Sequence, residues 1–243
     1  MTDSEDKPSG GTLTLVSTPI GNMGDVTLRA LEVLREADAV LAEDTRRSRK
    51  LLSHHSIGSK TLIAYHDHNK ERLTPGIIDR LRSGQNLALV SDAGTPGVSD
   101  PGFYLVRAIL AEGLSVTAAP GASAILPALT LSGFPTDAFI FEGFPPRKRG
   151  DLGRVVDALA HERRTVVFFV SPHRLRTVLK AIADEHPERM LAVARELTKM
   201  HEEVVRGTAT ELLTHFSETK VRGEIVLLVK GVGRRGQSRP GDP

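Results

Sequence analysis

The sequence predicts an α/β protein of two domains built on mostly parallel sheets. Three observations predict it. Short apolar, β-branched runs alternate with segments of helical spacing along most of the chain. Many of those runs end in loops rich in Gly, Pro and Asp. Finally, 243 residues that are 40% apolar can bury two cores of about a hundred residues each. Repeated βα units imply parallel strands with ligands at their carboxyl ends.

The elements follow in order. Leu13–Ser17 reads as a strand, Leu28–Ala37 as a helix, Ala39–Ala42 as a second strand and Arg46–His54 as a helix. Thr61–Tyr65 is strand-like, Thr74–Ser83 is a helix ended by Gly84, and Leu87–Val90 is a strand buried on both faces. Phe103–Glu112 and Ser115–Ala118 complete this half. The apolar stretch PGASAILPALTLSGF then links two domains, 12–121 and 122–232. In the second, strands are expected at Ala138–Glu142, Thr165–Val170, Met190–Ala194 and Glu224–Val229. Helices are expected at Leu152–Arg163, Leu175–Glu185 and Ala209–Phe216. The polar ends, 1–11 and 233–243, read as disordered tails.

Composition narrows the function. With no cysteine, disulfides, thiolate metal sites and a cysteine nucleophile are excluded. No run reaches the roughly 20 apolar residues of a membrane span. The start, MTDSEDKPSG, lacks the basic and then apolar pattern of a secretion signal, so a cytoplasmic protein is expected. A net charge of +2 conceals three basic clusters: Arg46, Arg47, Arg49 and Lys50; Arg147, Lys148, Arg149 and Arg154; His173, Arg174 and Arg176. Arginine forks suit phosphate, which points to a polyanionic partner.

The chemistry concentrates in the loops. Ser91–Gly102, SDAGTPGVSDPG, holds three glycines, two prolines and two aspartates directly behind a strand; glycine allows close backbone approach and proline pins the chain. STPIGNMGD, Ser17–Asp25, is a second such loop, with Asp25 placed to cap the next helix. Neither shows the G-x-G-x-x-G or G-x-x-x-x-G-K spacing, so pyrophosphate is not the ligand. In AEDTRRSRK, Glu43 and Asp44 at a strand end suit acid–base work, or Asp44 simply caps a helix. In YHDHN, an extended backbone would put His66 and His68 on one face for a polar substrate, and no third metal ligand stands nearby. ARELTKMHEEVVRG, Ala194–Gly207, is dense in Arg195, Glu196, Lys199, His201 and Glu202, and reads either as functional or as the start of a charged helix. No nucleophile elbow is present, which argues against hydrolysis.

In this order, TPIGNMGD, AEDTRRSRKLL, YHDHN, SDAGTPGVSDPG, APGASAI, EGFPPRKRG, SPHR, ARELTKMHEE and RGEIVLLVKG resemble the small-subunit ribosomal RNA methyltransferase I branch of the tetrapyrrole methylase superfamily, over residues 12 to 232. The resemblance implies two α/β domains with S-adenosylmethionine in the cleft between them, a homodimer, and 2'-O-methylation of a decoding-centre cytidine in 16S ribosomal RNA within the small ribosomal subunit. It implies cofactor contacts at Pro19, Ile20, Asp92, Gly94, Thr95, Ser123 and Ala124, and at Phe169, Val170, Leu197 and Glu224. Relatives commonly carry glutamate where this chain has Val170. Glu43, Asp44 or His66 would orient the ribose hydroxyl, assisted by Arg195 and Lys199. Arg46, Arg47, Arg147, Lys148 and Arg174 would hold RNA phosphates. No metal is implied.

Two rival readings share much of this pattern. A precorrin-type C-methyltransferase would need one compact site rather than three dispersed basic clusters. A non-catalytic RNA-binding module would need base-stacking platforms, and the chain has two tyrosines and no tryptophan.

Overall fold

The computed structural model describes residues 10–100, 102–218 and 221–233, in two compact units, Met1–Ser123 and Ala124–Pro243. Most of the two segments expected as tails lies outside the described residues. Gly11 is described, and its N–H donates to the Leu81 carbonyl at 2.7 Å.

The first unit comprises β1 (Thr12–Val16), α1 (Leu28–Glu36), β2 (Ala39–Ala42), α2 (Thr45–His54), β3 (Thr61–Ala64), α3 (Lys70–Arg82), β4 (Leu87–Val90), α4 (Phe103–Ala111) and β5 (Ser115–Ala119). Its five strands lie in the order β3-β2-β4-β1-β5, all parallel. The connections from β1 to β2 to β3 step toward one edge; those from β3 to β4 to β5 step toward the other. Right-handed crossovers then place α1 and α2 on one face and α3 and α4 on the opposite face. The cores match. Val40, Ala42 and Val90 pack with Leu31, Leu34, Leu51 and Leu52, while Leu41, Leu87 and Leu89 pack with Ile77, Leu81, Leu105 and Ile109. Each large side chain buried this way contributes about 1.5–3 kcal/mol. The direction of winding reverses between β1 and β4, and the crevice beyond their carboxyl ends is where such sheets take ligands.

The second unit comprises α5 (Ile125–Ser132), β6 (Phe139–Gly143), α6 (Arg149–Leu159), β7 (Thr165–Val170), α7 (Pro172–Glu185), β8 (Met190–Arg195), β9 (Glu203–Thr208), α8 (Ala209–Glu218) and β10 (Ile225–Val229). Its strands run β6-β7-β10-β8-β9. Only β6 and β7 are parallel; the other three pairs are antiparallel. The expectation of mostly parallel sheets therefore holds for the first sheet and is corrected for the second. Residues 196–202 are too few for a helical crossover, so β9 folds back on β8 as a hairpin. β10 then enters between β7 and β8, antiparallel to both. One face of this sheet, with Phe168, Val193 and Leu227, packs on Leu152, Val156, Leu175, Leu179, Leu212 and Phe216 of α6, α7 and α8.

Other boundaries also move. The reading of Ala194–Gly207 as the start of a charged helix gives way to the β8–β9 turn and strand, because Val204 and Val205 find ladder partners in Ala194 and Val193. Thr27, not Asp25, caps α1, its hydroxyl accepting from the Ala30 N–H at 3.1 Å. α3 starts at Lys70, ahead of Pro75, and the Thr74 hydroxyl donates to the Lys70 carbonyl.

Candidate active site at the carboxyl edge of the first sheet

β1 and β4 end side by side, Val16 opposite Val90, and their loops are laced together. Thr18 and Gly94 exchange N–H···O bonds of 2.8 and 2.9 Å. The Thr18 hydroxyl donates to the Ser91 carbonyl at 3.3 Å. Thr95 donates to the Ala122 carbonyl at 3.3 Å, which leaves Ser17 to donate to Thr95 at 3.0 Å. Three loops, after β1, β4 and β5, thus form one rigid rim. Gly94 has φ +78°, and a Cβ there would lie 3.5 Å from Ile20 Cγ2 and 3.9 Å from the Ala122 carbonyl. Pro19 is half-buried and Ile20 buried beside it; Pro19, Ile20, Gly94 and Thr95, the residues expected to contact the cofactor, thus share one backbone cradle. Ser123, half-buried, is the last residue of this unit, and Ala124 opens the second just before α5.

Carboxylates border the cradle. Asp92 accepts the Asp44 N–H at 3.1 Å and faces Arg47 Nε at 3.4 Å. Burial raises the Glu43 carboxyl above its usual range, and the charges of Asp92 and Asp67 add to the rise; Arg47 and His66 oppose it. Asp100 was not singled out as a site residue. It is pushed up to about 6, by burial first and then by the charge of Glu43. Its signal in the sequence was the second Ser-Asp pair of the loop Ser91–Gly102. An electronegative rim of this kind suits a cationic ligand and repels phosphate.

The other expected residues separate. Asp44 caps α2 by accepting the Arg46 N–H at 2.9 Å, and the Arg46 guanidinium chelates it at 3.0 and 2.7 Å. Those hydrogen bonds hold its carboxyl down to about 2, so it cannot take up a proton near neutrality. The capping alternative describes Asp44. The YHDHN segment is a turn rather than extended, because Asn69 Oδ1 accepts the His66 N–H and Lys70 N–H returns to the His66 carbonyl. Asn69 Nδ2 donates to the Ala64 carbonyl and to His66 Nε2. Nε2 is therefore the acceptor and Nδ1 carries the proton; Nδ1 is buried with no partner among the described residues. Among those residues no cluster of His, Asp and Glu is arranged for a metal ion.

The second unit carries the remaining candidates. Val170 is 3% exposed, its side chain part of the core and its backbone opposite Ile225 in the β7–β10 ladder. Phe169 meets Phe141 and Phe144 edge to face, with centroids at 4.8 and 5.7 Å. Leu197 is buried. Lys199 bonds Glu196 at 2.9 Å and Glu224 at 3.1 Å. Burial opposes its charge, yet those two carboxylates win and raise its pKa; it is a fixed cation, not a base. Arg195 pairs with Glu203 on the facing strand. Of the expected phosphate ligands, Arg46 and Arg47 turn to Asp44 and Asp92, Arg174 donates to the carbonyls of Pro146 and Arg147, and Arg147 and Lys148 are exposed.

The raised Asp100 carboxyl has a thermodynamic consequence. Ionising it costs more in the folded chain than in the unfolded one. That cost is absent below about pH 3.8, grows as pH rises through about 6, and is constant above. Asp100→Asn is expected to exceed the unaltered chain in stability at pH 8 by about 1 kcal/mol after solvent screening. The difference should vanish near pH 4, as read by urea denaturation at both values.

The model of the Tetrapyrrole (Corrin/Porphyrin) Methylases matches residues 12–213. A ribosomal RNA small subunit methyltransferase I of Halalkalibacterium halodurans is 45% identical over 225 residues, 93% of this chain and 78% of that protein. The protein of the same name from Synechocystis is 46% identical over 222 residues, 91% of this chain and 79% of its own length. A crystal structure of uroporphyrin-III C-methyltransferase from Thermus thermophilus, complexed with S-adenyl homocysteine, superposes with TM-score 0.61 at 19% identity, covering 91% of this chain and 97% of that one. The last likeness carries the fold. The chain belongs to the tetrapyrrole methylase family, in the branch of the ribosomal RNA small subunit methyltransferase I proteins.

Proposed function

We propose that this protein uses S-adenosylmethionine to methylate ribosomal RNA of the small subunit, at the 2'-hydroxyl of a decoding-centre cytidine in 16S RNA. The observation that carries the RNA reading is the 43–48% identity to relatives of that name, sustained over most of the chain. The cradle at Gly94 and the carboxylates around it fit the cofactor: backbone carbonyls and hydroxyls for the nucleoside and amino-acid parts, and negative charge for the sulfonium. When bound, S-adenosylmethionine supplies an electrophilic methyl carbon to the attacking ribose oxygen.

The chain's own residues supply position and proton transfer. Glu43, ionised and desolvated, accepts the hydroxyl proton through Oε. His66 Nδ1–H, buried with no partner among the described residues, is the donor left to hold that hydroxyl oxygen in place. Asp92 sets the negative field and, through the Asp44 N–H, the spacing of the β2 and β4 loops. Lys199 and Arg195, on the second unit, are permanent cations suited to the anionic strand. Proton transfer needs a base with a pKa near the working pH, and Glu43 is displaced in that direction while Asp44 is displaced the other way. The protein acts as a homodimer; the exposed Leu28, Leu126 and Leu131 supply apolar surface for it.

The deciding measurement is ribose-methylation mapping of 16S RNA from small subunits incubated with cofactor, with and without this protein. A new 2'-O-methyl cytidine in the decoding region is expected. Methyl transfer to a tetrapyrrole precursor alone would establish the precorrin reading, and transfer to neither would leave an RNA-binding module. Charge removal at Arg147 and Lys148 is expected to lower RNA affinity and to reduce the slope of log affinity against log salt by about 1 per cation. An unchanged slope would take both residues off the phosphates.

A further inference from the structure

The end of β6 carries a feature that the methyl-transfer chemistry does not use. β6 runs in register with β7 through Phe141, opposite Val167, and then skips a residue so that Gly143 faces Phe168. Gly143 takes φ +65° at this bulge, a conformation that favours glycine. Bulges re-aim the side chains beside them, and here the next residue, Phe144, is left 61% exposed. It does not swing freely. Its ring packs on Phe169 in a T-shaped contact, and Phe169 in turn meets Phe141. The following Pro145 and Pro146 have pinned φ angles, and Arg174 of α7 donates to the Pro146 and Arg147 carbonyls. Beyond them Arg147 and Lys148 are exposed. Neither has an ion-pair partner among the described residues, whereas Arg154 on α6, which follows them, is paired with Asp151.

We infer that Phe144 is a stacking platform for one unpaired base of the RNA substrate, with Arg147 and Lys148 on the flanking phosphates and Arg174 as a positioning residue behind them. The inference rests on the RNA reading above. A buttressed ring beside unpaired cations is the combination that single-stranded nucleic acid selects, since every base offers a π-face and every linkage a charge. A protein partner's apolar pocket would cover the ring without calling for the exposed cations at Arg147 and Lys148. The platform answers the scarcity of tyrosine and tryptophan with phenylalanine.

The chain has no tryptophan, so Phe144→Trp installs a single reporter at the platform. A single-stranded oligoribonucleotide is expected to quench its emission. Phe144→Leu, which keeps apolar bulk without a ring face, is expected to weaken binding to the small ribosomal subunit roughly tenfold. Its affinity for S-adenosylmethionine and its salt slope should be unchanged, and Phe144→Tyr should bind as the unaltered chain does. An unquenched tryptophan with RNA bound, or undiminished binding by Phe144→Leu, overturns the platform while the methyltransferase reading stands. Loss of cofactor affinity in Phe144→Leu assigns the ring to the cofactor and overturns it too. An unaltered chain that neither binds nor methylates the subunit overturns both.

Discussion

Glu43→Gln is expected to lower kcat for methyl transfer roughly 10²- to 10³-fold, with the subunit KM within a few-fold of its original value. The substitution preserves size and hydrogen-bonding shape while removing the ability to accept a proton. Glu43 follows β2, in a setting where burial and the charges of Asp92 and Asp67 keep its carboxyl easier to protonate than usual. A base must be ionised to work, so the rate should rise with pH through a limb lying above the ordinary glutamate range. In Glu43→Gln that limb should disappear. Single-turnover transfer from labelled cofactor, followed from pH 5 to 9, reads both effects. An unchanged kcat would move the hydroxyl's partner to His66, whose Nδ1–H has no partner among the described residues.

Asp92→Asn is expected to weaken S-adenosylmethionine binding about tenfold to a hundredfold, the scale of one hydrogen bond to a charged group, with little change in thermal stability. Asparagine retains the Oδ1 that accepts the Asp44 N–H and loses only the charge that faces Arg47. Asp92→Ala is a poorer probe, because it also strands the Asp44 N–H and uncouples the loops after β2 and β4. Titration calorimetry with cofactor, beside a melting curve, separates binding from folding. Undiminished affinity would reduce the loop Ser91–Gly102 to scaffolding.

Much of the first unit was legible because its signals are local. Leu87–Val90 and Ala39–Ala42 are buried on both faces and read as continuous apolar runs, and each ends at the residue where periodicity stops. The rigidity of Ser91–Gly102 was legible for the same reason: its glycines and prolines constrain the backbone wherever the loop is placed. Asp100 was less legible. Its displaced titration comes from burial and from Glu43, a residue distant in sequence and brought near only by the β2–β4 pairing. The roles of Asp44 and Arg174 were likewise hidden, since composition shows a charge but not the cap or the carbonyl that consumes it.

The second unit divides the same question. β9 has a strand's β-branched pair, Val204 and Val205, amid charges spaced for a helix, and the contest between those local preferences is settled by the β8 ladder. Val170 shows it at one residue: the resemblance marks the place of a glutamate in relatives, and only the packed core reveals that the valine side chain is buried there. By itself the sequence determined the alternation of strands and helices, the parallel first sheet and the glycine loops, which follow from periodicity and short-range backbone sterics, and its motifs carried the resemblance to the family. The tertiary structure decided the antiparallel second sheet, the raised carboxyls beside the cradle and the buttressed ring at Phe144. Those depend on long-range pairing, on desolvation and on which charges end up as neighbours, and none of these is carried by any short stretch of chain.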